Sequence, residues 1–347
     1  MLKSLLRVFS FFLTILLASP SYSQQQPWYS QYILNNFIIN PALAGIENYW
    51  DIKGSYRNQW IGLEGAPVTM YLTAQGILGN PNLENETVLT AHPLENTRGY
   101  NYWENYQVSP SHLGLGFTVI QDKTGPLNNL SAKLSGAYHV KLSSTSALSF
   151  GLSLGIQQES INASLTYFGN QSPADPSIYP GRNLNKIKPE LDAGLWLYSG
   201  RYFLGFSAQQ LISQSLNFSG SNSALSGINE GRLVPHLFLQ GGYKFLLGND
   251  FSLLPSTTVK LISPSPTSFD LNLKALYRDF LWLGITLRDQ NQYAVMVGFN
   301  TKSGLNFGYS YDFGTSPLYT IGKGTHEIVL GLLLRNHLRD RCPRNIW

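Results

Sequence analysis

The stretch from Leu148 to Ile156 reads Leu-Ser-Phe-Gly-Leu-Ser-Leu-Gly-Ile, so large apolar residues alternate with Ser or Gly. The same alternation runs through Leu281–Arg288 and Leu305–Asp312. Successive side chains of a β-strand point to opposite faces. Each stretch therefore predicts a strand with one apolar face and one mainly small or polar face.

The composition indicates which face of these strands is outside. Charged residues make up 13% of the chain, against roughly 25% of an ordinary soluble domain. A soluble sandwich would carry Lys and Glu on its outer faces, whereas these strands offer mainly Gly, Ser, Thr and Asn there. The pattern therefore predicts an all-β protein, a single transmembrane antiparallel β-barrel with apolar side chains toward lipid and polar ones toward the interior.

The amino terminus predicts a secretory signal peptide over residues 1–23. Lys3 and Arg7 precede an apolar run from Val8 to Ala18, and small or turn residues follow. A membrane anchor is the alternative, but this run is much shorter than the roughly 20 residues that span a bilayer as a helix. The single cysteine, Cys342, excludes a disulfide within one chain. A net charge of +4 gives no argument for nucleic acid binding.

We predict fourteen strands, because an even number returns the chain to the same, periplasmic side of the membrane. Residues 24–51 are predicted to form an amino-terminal periplasmic segment. Residues 52–347 are predicted to form the barrel with a short basic carboxy-terminal tail. The predicted strands are Ile52–Trp60, Val68–Leu78, His112–Gln121, Leu130–Leu142, Ala147–Gln157, Leu191–Tyr198, Tyr202–Gln210, Pro235–Leu246, Phe251–Leu261, Ser268–Tyr277, Phe280–Arg288, Gln292–Asn300, Leu305–Tyr311 and Glu327–Leu334.

The lengths of the connections support this topology. Short ones, predicted as periplasmic turns, alternate with longer ones, predicted as outer loops, which is the usual arrangement in such barrels. The short connections are 143–146, 199–201, 247–250, 278–279 and 301–302, and the long ones are 158–190, 211–234 and 312–326. The connection 79–111 breaks the rule, so it holds either a further strand or a periplasmic insert.

Aromatic residues at strand ends predict interfacial girdles, with the ring in lipid and the hydroxyl in water. The residues expected there are Tyr138, Tyr198, Tyr202, Tyr243 and Tyr277.

The sequence predicts no enzyme site, cofactor or metal. Residues 151–155 match the G-x-S-x-G nucleophile elbow, but that motif needs a sharp turn from strand to helix, and Ser153 is predicted in mid-strand. His326 and Glu327 are adjacent, yet Leu330 stands where a zinc helix would need its second His. An outer-membrane hydrolase built from residues far apart in sequence remains an alternative.

Within residues 29–67 the unusual residues follow no strand period, and further blocks along the chain accompany them. The blocks are Ser30-Gln31-Tyr32, Asn40-Pro41-Ala42-Leu43-Ala44-Gly45, Tyr56-Arg57-Asn58-Gln59-Trp60, Gly62-Leu63-Glu64-Gly65-Ala66-Pro67, Gly114-Leu115-Gly116, Asp122-Lys123-Thr124-Gly125, Leu148-Ser149-Phe150-Gly151, His326-Glu327 and Cys342-Pro343. In this order they resemble the PorP/SprF family of outer-membrane proteins, which serve type IX secretion and gliding motility in Gram-negative bacteria. The segment Asn80–Pro110 departs from the family pattern.

The resemblance implies a non-enzymatic component of type IX secretion in the outer membrane of a Gram-negative bacterium. Its expected partners are outer-membrane lipid, a secreted adhesin or the carboxy-terminal domain of a type IX client, and periplasmic or peptidoglycan-associated machinery. The outer loops 158–190 and 211–234 would dock the client, while Arg57, Trp60 and the amino-terminal block would face the inner machinery. A diffusion channel or hydrophobic-substrate transporter is the alternative function.

The residues predicted to bind partners come from these blocks. Asn40-Pro41 predicts a turn or extended conformation and Gly45 permits a positive φ, so the block is expected to have a fixed shape. Arg57 and Glu64 are expected to pair. The full set is Asn40, Pro41, Gly45, Arg57, Gln59, Trp60, Glu64, Asp122 and Lys123, with Asp122 and Lys123 expected in an outer loop. The alternative is that these residues only close and plug the barrel.

Overall fold

The structure is a computed structural model that describes residues 30–47, 49–79, 108–162, 184–213, 234–263, 265–278, 280–289, 292–301, 304–314 and 322–334. The predicted signal peptide, most of the segment 80–110 and the basic tail lie outside the described residues.

The alternating stretches form strands that pair in chain order into one antiparallel sheet. They are β1 (Trp50–Asn58), β2 (Val68–Leu78), β3 (His112–Thr124), β4 (Leu127–Lys141), β5 (Ser146–Ile161), β6 (Leu184–Ser199), β7 (Tyr202–Gln209), β8 (His236–Tyr243), β9 (Phe245–Leu247), β10 (Phe251–Ile262), β11 (Ser268–Tyr277), β12 (Leu281–Arg288), β13 (Gln292–Asn300), β14 (Leu305–Gly314) and β15 (Thr325–Leu334). The sheet closes where β1 pairs with β15, from Trp50 opposite Leu334 to Asn58 opposite His326.

The short strands β8 and β9 are two segments of one barrel strand. Both pair with β10 in a single register, with Gly242 opposite Ser256 and Phe245 opposite Leu253. The pairing is interrupted at Tyr243 and Lys244, opposite Pro255 and Leu254, and Pro255 has no N–H to donate to a ladder. The barrel therefore has fourteen strands, as the sequence predicts.

The apolar faces of the strands are outside. On β5, Leu152 and Leu154 are 61% and 66% exposed, whereas Ser149 and Ser153, at positions of the opposite parity, are 0% and 2% exposed. A closed barrel pairs each strand on both sides, which satisfies the backbone groups where a bilayer offers no water. The predicted fold class, a transmembrane antiparallel β-barrel, is confirmed.

The two ends of the barrel differ. We call the end where β1 begins and β15 ends the terminal end, and the opposite end the loop end. Tight turns at the terminal end join β4 to β5, β6 to β7, β9 to β10, β11 to β12 and β13 to β14. The longest connections at the loop end are 162–183, 210–235 and 315–324, so the predicted alternation of short and long connections is confirmed.

The predicted loop 158–190 is too long. Residues up to Ile161 belong to β5, and β6 begins at Leu184 opposite Ile161. Outward-facing positions of β5 become polar there, at Gln158 and Ser160. The strand pairing therefore continues beyond the point where the apolar alternation of the sequence ends. Among the described residues, no helix is long and apolar enough to cross a membrane.

Four of the tyrosines predicted for a girdle are exposed near the terminal end, namely Tyr138, Tyr202, Tyr243 and Tyr277. The girdle prediction is wrong for Tyr198. Its side chain is 3% exposed, and its hydroxyl lies 3.0 Å from His139 Nδ1 in the lumen. Position at a strand end does not reveal to which face a side chain points.

Candidate functional site

Residues 30–47 lie inside the barrel, and we call this segment the plug. It consists of three short 3₁₀-helices, Ser30–Leu34, Asn36–Ile38 and Pro41–Leu43. Asn40 caps the third helix, because its Oδ1 accepts a hydrogen bond from the Ala42 N–H at 3.0 Å and Pro41 occupies the first helical position. The fixed shape expected of this block is present, but its place is in the lumen and not in a separate periplasmic segment.

Apolar packing holds the plug. Tyr32, Ile33, Phe37 and Leu43 are each less than 5% exposed. They belong to one apolar cluster with inward-facing wall residues, among them Trp196, Phe203, Phe238, Leu254, Trp282 and Met296. These large side chains stand at strand positions where a water-filled lumen would have small or polar residues, so this part of the barrel has a packed core.

Polar side chains of the wall donate to the carbonyl groups of the plug. The contacts are Gln209 Nε2 to Ile38 O at 2.8 Å and Ile39 O at 2.9 Å, Ser207 Oγ to Ile39 O at 2.8 Å, Ser149 Oγ to Ala42 O, His139 Nε2 to Ala44 O at 2.9 Å and His112 Nε2 to Gly45 O at 3.0 Å. Short 3₁₀ turns leave carbonyl groups without intrahelical partners, and buried carbonyl groups need partners. The wall supplies them from β3, β4, β5 and β7.

Other side chains of the plug bind the wall in turn. Asn40 Nδ2 donates to the carbonyl groups of Leu195 and Phe206 at 3.0 and 3.2 Å. At the first 3₁₀-helix, Asn272 Nδ2 donates to the Tyr32 hydroxyl at 2.7 Å. Burial raises the pKa of Tyr32, so this hydroxyl stays neutral.

Glycines of the wall form a close-fitting seat for the plug. A Cβ at Gly114 would stand 1.9 Å from Ala44 O, one at Gly151 2.2 Å from Ala42 N, and one at Gly194 2.0 Å from Asn40 Oδ1. No side chain fits at these distances. Gly45 has φ +73°, and a Cβ there would stand 2.4 Å from Gly114 Cα. Three of the blocks that carry the family resemblance, 40–45, 114–116 and 148–151, therefore meet at one contact.

Three cavities beside the plug are small. Two of about 20 and 10 Å³ lie beside Leu34 and Tyr32, and a third of about 50 Å³ lies between Ile38 and the side chains of Lys133 and Glu190. Each has room for only a few water molecules. The plug therefore fills the described lumen at its own level.

Toward the loop end, ion pairs line the lumen. Arg57 binds Asp312 at 2.9 Å and Glu327 at 3.1 Å, Lys133 binds Glu190 at 3.2 Å and Asp192 at 2.9 Å, Arg288 binds Asp270 at 3.2 Å, and Lys188 binds Glu159 at 2.5 Å. Buried charges persist only when paired and hydrogen-bonded. The expected pairing of Arg57 with Glu64 is wrong, since Glu64 is exposed in the β1–β2 connection while Arg57 points into the lumen.

The β1–β2 connection is tied to its neighbours at the loop end. Ile61 N–H donates to Gly324 O at 3.0 Å, Lys323 N–H to Ile61 O at 2.8 Å, and Gly125 N–H to Gly65 O at 2.9 Å. Two further bonds complete the arrangement: Gln59 N–H donates to Pro67 O at 2.9 Å, and Trp60 N–H to Thr325 Oγ1 at 3.2 Å. We call residues 59–67, Gly125 and 322–325 the loop-end rim. Trp60 has φ +45°, a strained value for a bulky residue, which these contacts hold in place.

Asp122 and Lys123 do not lie in a loop, as predicted, but in β3. Their strand continues to Thr124, because the hairpin turn is only Gly125-Pro126. Asp122 accepts a hydrogen bond from Thr69 Oγ1 at 2.5 Å, whereas Lys123 is exposed beside the loop-end rim.

The predicted site residues therefore form two groups. Asn40, Pro41 and Gly45 lie in the plug, and Arg57, Gln59, Trp60, Glu64, Asp122 and Lys123 lie at the loop end. Arg57 and Trp60 lie at the loop end, whereas the amino-terminal block lies in the lumen. The wall residues that hold the plug, such as His112, His139 and Gln209, were missed, because inward-facing polar residues occur throughout such a strand pattern.

The candidate catalytic string offers no nucleophile elbow. Ser153 lies in the middle of β5 and faces the lumen, 2% exposed. Within the described ranges, no cluster of three or more His, Cys, Asp or Glu could hold a metal ion.

Solved structures similar to this chain are barrels of low sequence identity. The CymD monoaromatic hydrocarbon channel shares 10% identity over 90% of this chain and 94% of its own, with a TM-score of 0.46. A Pseudomonas aeruginosa FadL homologue shares 11% over 89% and 94%, with a TM-score of 0.43. The Acinetobacter baumannii outer membrane protein Omp33 shares 6% over 84% and 99%, with a TM-score of 0.42.

A search of curated proteins finds no match. Residues 21–332 match the family described as type IX secretion system membrane protein PorP/SprF. This range contains the plug, the glycine seat and the barrel strands from β1 through most of β15. The family is one of secretion components and not of enzymes. The chain therefore belongs to the PorP/SprF family of type IX secretion system membrane proteins.

Proposed function

We propose that the protein is a non-enzymatic anchor of type IX secretion in the outer membrane of a Gram-negative bacterium. It binds a secreted surface protein, such as a gliding adhesin or the carboxy-terminal domain of another client, at the loop end. At the terminal end it contacts periplasmic or peptidoglycan-associated machinery. The family membership supports the secretion role, and the plugged lumen supports binding over conduction.

The observation that carries this proposal is the plug. A barrel that conducts needs a continuous aqueous lumen, whereas here residues 30–47 fill it with packed apolar side chains and hydrogen bonds. With the lumen filled, the surfaces available to macromolecules are the two ends. The loop-end rim is one such surface, because hydrogen bonds fix its backbone while Glu64 and Lys123 are exposed.

Client binding is tested by deleting residues 163–183 or 214–233 in the producing bacterium. We expect either deletion to reduce surface display of the cognate adhesin without loss of folded barrel in the membrane. The charge reversals E64K and K123E test the loop-end rim. Unchanged secretion and display in both loop deletions would overturn the proposed docking.

The competing function, a diffusion channel or transporter, is tested by conductance of the purified full-length protein in planar bilayers. We expect no steady single-channel steps. Regular steps of uniform size would favour the channel and reject the plugged anchor.

A further inference from the structure

The outer wall of the barrel between β2 and β7 carries an apolar groove of about 670 Å³. This volume falls within the range of ligand pockets, roughly 300–1,000 Å³. Large side chains that face away from the lumen flank it, among them Leu113, Leu115, Tyr138, Phe150, Leu152 and Leu195.

The groove is deep because its floor has few side chains. Gly136 faces outward, and a Cβ built there would meet no atom within 4 Å. Ala193 faces outward on β6, and Leu152 lies between the two in register. Gly114, Gly151 and Gly194 also line the groove, and these are the glycines that seat the plug on the inner side. The wall is therefore thin here, with the plug on one side and the groove on the other.

We propose that this groove is a specific seat for the acyl chain of a phospholipid. The groove is continuous with the exposed apolar belt of a transmembrane barrel, so its medium is lipid and not water. A flexible acyl chain has no polar groups along its length, so it fills an irregular apolar groove without leaving any unpaired.

The test uses the purified full-length protein in vesicles of phosphatidylethanolamine and phosphatidylglycerol that contain a phospholipid with a photoreactive acyl chain. After illumination, labelled peptides are identified by mass spectrometry. We expect peptides of β3–β7 to be labelled several-fold more than peptides of β11–β13 on the other wall. Equal labelling of the two walls would overturn the proposal.

Filling the groove supplies the control. G136L should remove the excess labelling, whereas A275L, at an exposed outward position on β11, should leave it unchanged. Heat-modifiable gel mobility shows whether G136L folds. If it does not fold, A193L, which fills the groove from β6, replaces it in the test. Excess labelling that persists in both filled variants would overturn the proposal. A second experiment places a photoreactive residue at position 136 in cells. Cross-linking of a protein there, in place of lipid, would also overturn the proposal.

Discussion

The two halves of the lumen differ in what the wall offers. Near the terminal end it offers mainly glycines and large apolar side chains to the plug, with one buried ion pair between Lys53 and Asp51, whereas near the loop end paired charges such as Arg57 with Glu327 predominate. The strands and their register are continuous from one half to the other. The difference shows that one barrel wall supports a packed core and a polar network according to which inward-facing residues it carries.

Among the variants that test the difference between the two halves, removal of the plug should have the largest effect on stability. Deleting residues 30–45 exposes the inner faces of Trp196 and Trp282 and loses several buried apolar side chains, each worth about 1.5–3 kcal/mol. We expect a strong fall in the unfolding temperature in detergent and conductance steps from any barrel that still folds. A shortened chain with unchanged thermal stability would contradict the view that the plug is the core of the barrel.

The charged half is tested by R57A. Asp312 and Glu327 are 2% and 0% exposed, so removing their cation leaves buried carboxylates without it. Breaking a buried ion pair costs about 3–5 kcal/mol. The free energy of unfolding, measured by urea in detergent micelles, should fall by that amount.

The matched control is R278A at the terminal end. The Arg278–Asp250 pair has a similar geometry, at 3.0 Å, but its side chains are 49% and 37% exposed. Exposed pairs are screened by water and contribute little, so R278A should lower the free energy of unfolding much less than R57A. Equal losses in R57A and R278A would show that burial does not distinguish the two pairs.

These contrasts also show how far the sequence predicts the structure. The barrel was predictable because lipid imposes a two-residue period on every strand, as at Leu152 and Leu154. The shape of the block at Asn40 was predictable from local chemistry, but its place in the lumen depends on contact with distant strands. Arg57 pairs with Asp312 and Glu327, which lie 255 and 270 positions along the chain, and no local pattern identifies them.

The fit of the plug is tested by adding one methyl group to the wall. In G151A the new Cβ would stand 2.2 Å from Ala42 N, so the backbone of the wall or plug must move. Overpacking of this kind costs about 1–3 kcal/mol. Urea unfolding measures the loss, and labelling of a cysteine at position 42, in a background with Cys342 replaced by Ser, reports displacement of the plug.

The control for the glycine seat is G136A on the neighbouring strand. Its Cβ points outward and meets no atom within 4 Å, so neither stability nor labelling at position 42 should change. If G151A and G136A behave alike, the close approach of plug and wall is not what requires glycine at these positions.

The smallest expected effect concerns a single hydrogen bond. Ser207 and Ser310 are both 0% exposed and both face the lumen, but Ser207 Oγ donates to Ile39 O of the plug, whereas Ser310 Oγ has no hydrogen-bond partner among the described residues. S207A should lower the free energy of unfolding by about 0.5–1.5 kcal/mol, the usual net value of one such bond. S310A should leave it unchanged or raise it, because a buried hydroxyl without a partner is unfavourable. The same urea titration compares them, and a larger loss in S310A would mean that hydroxyl groups near the ion pairs matter more than those that hold the plug.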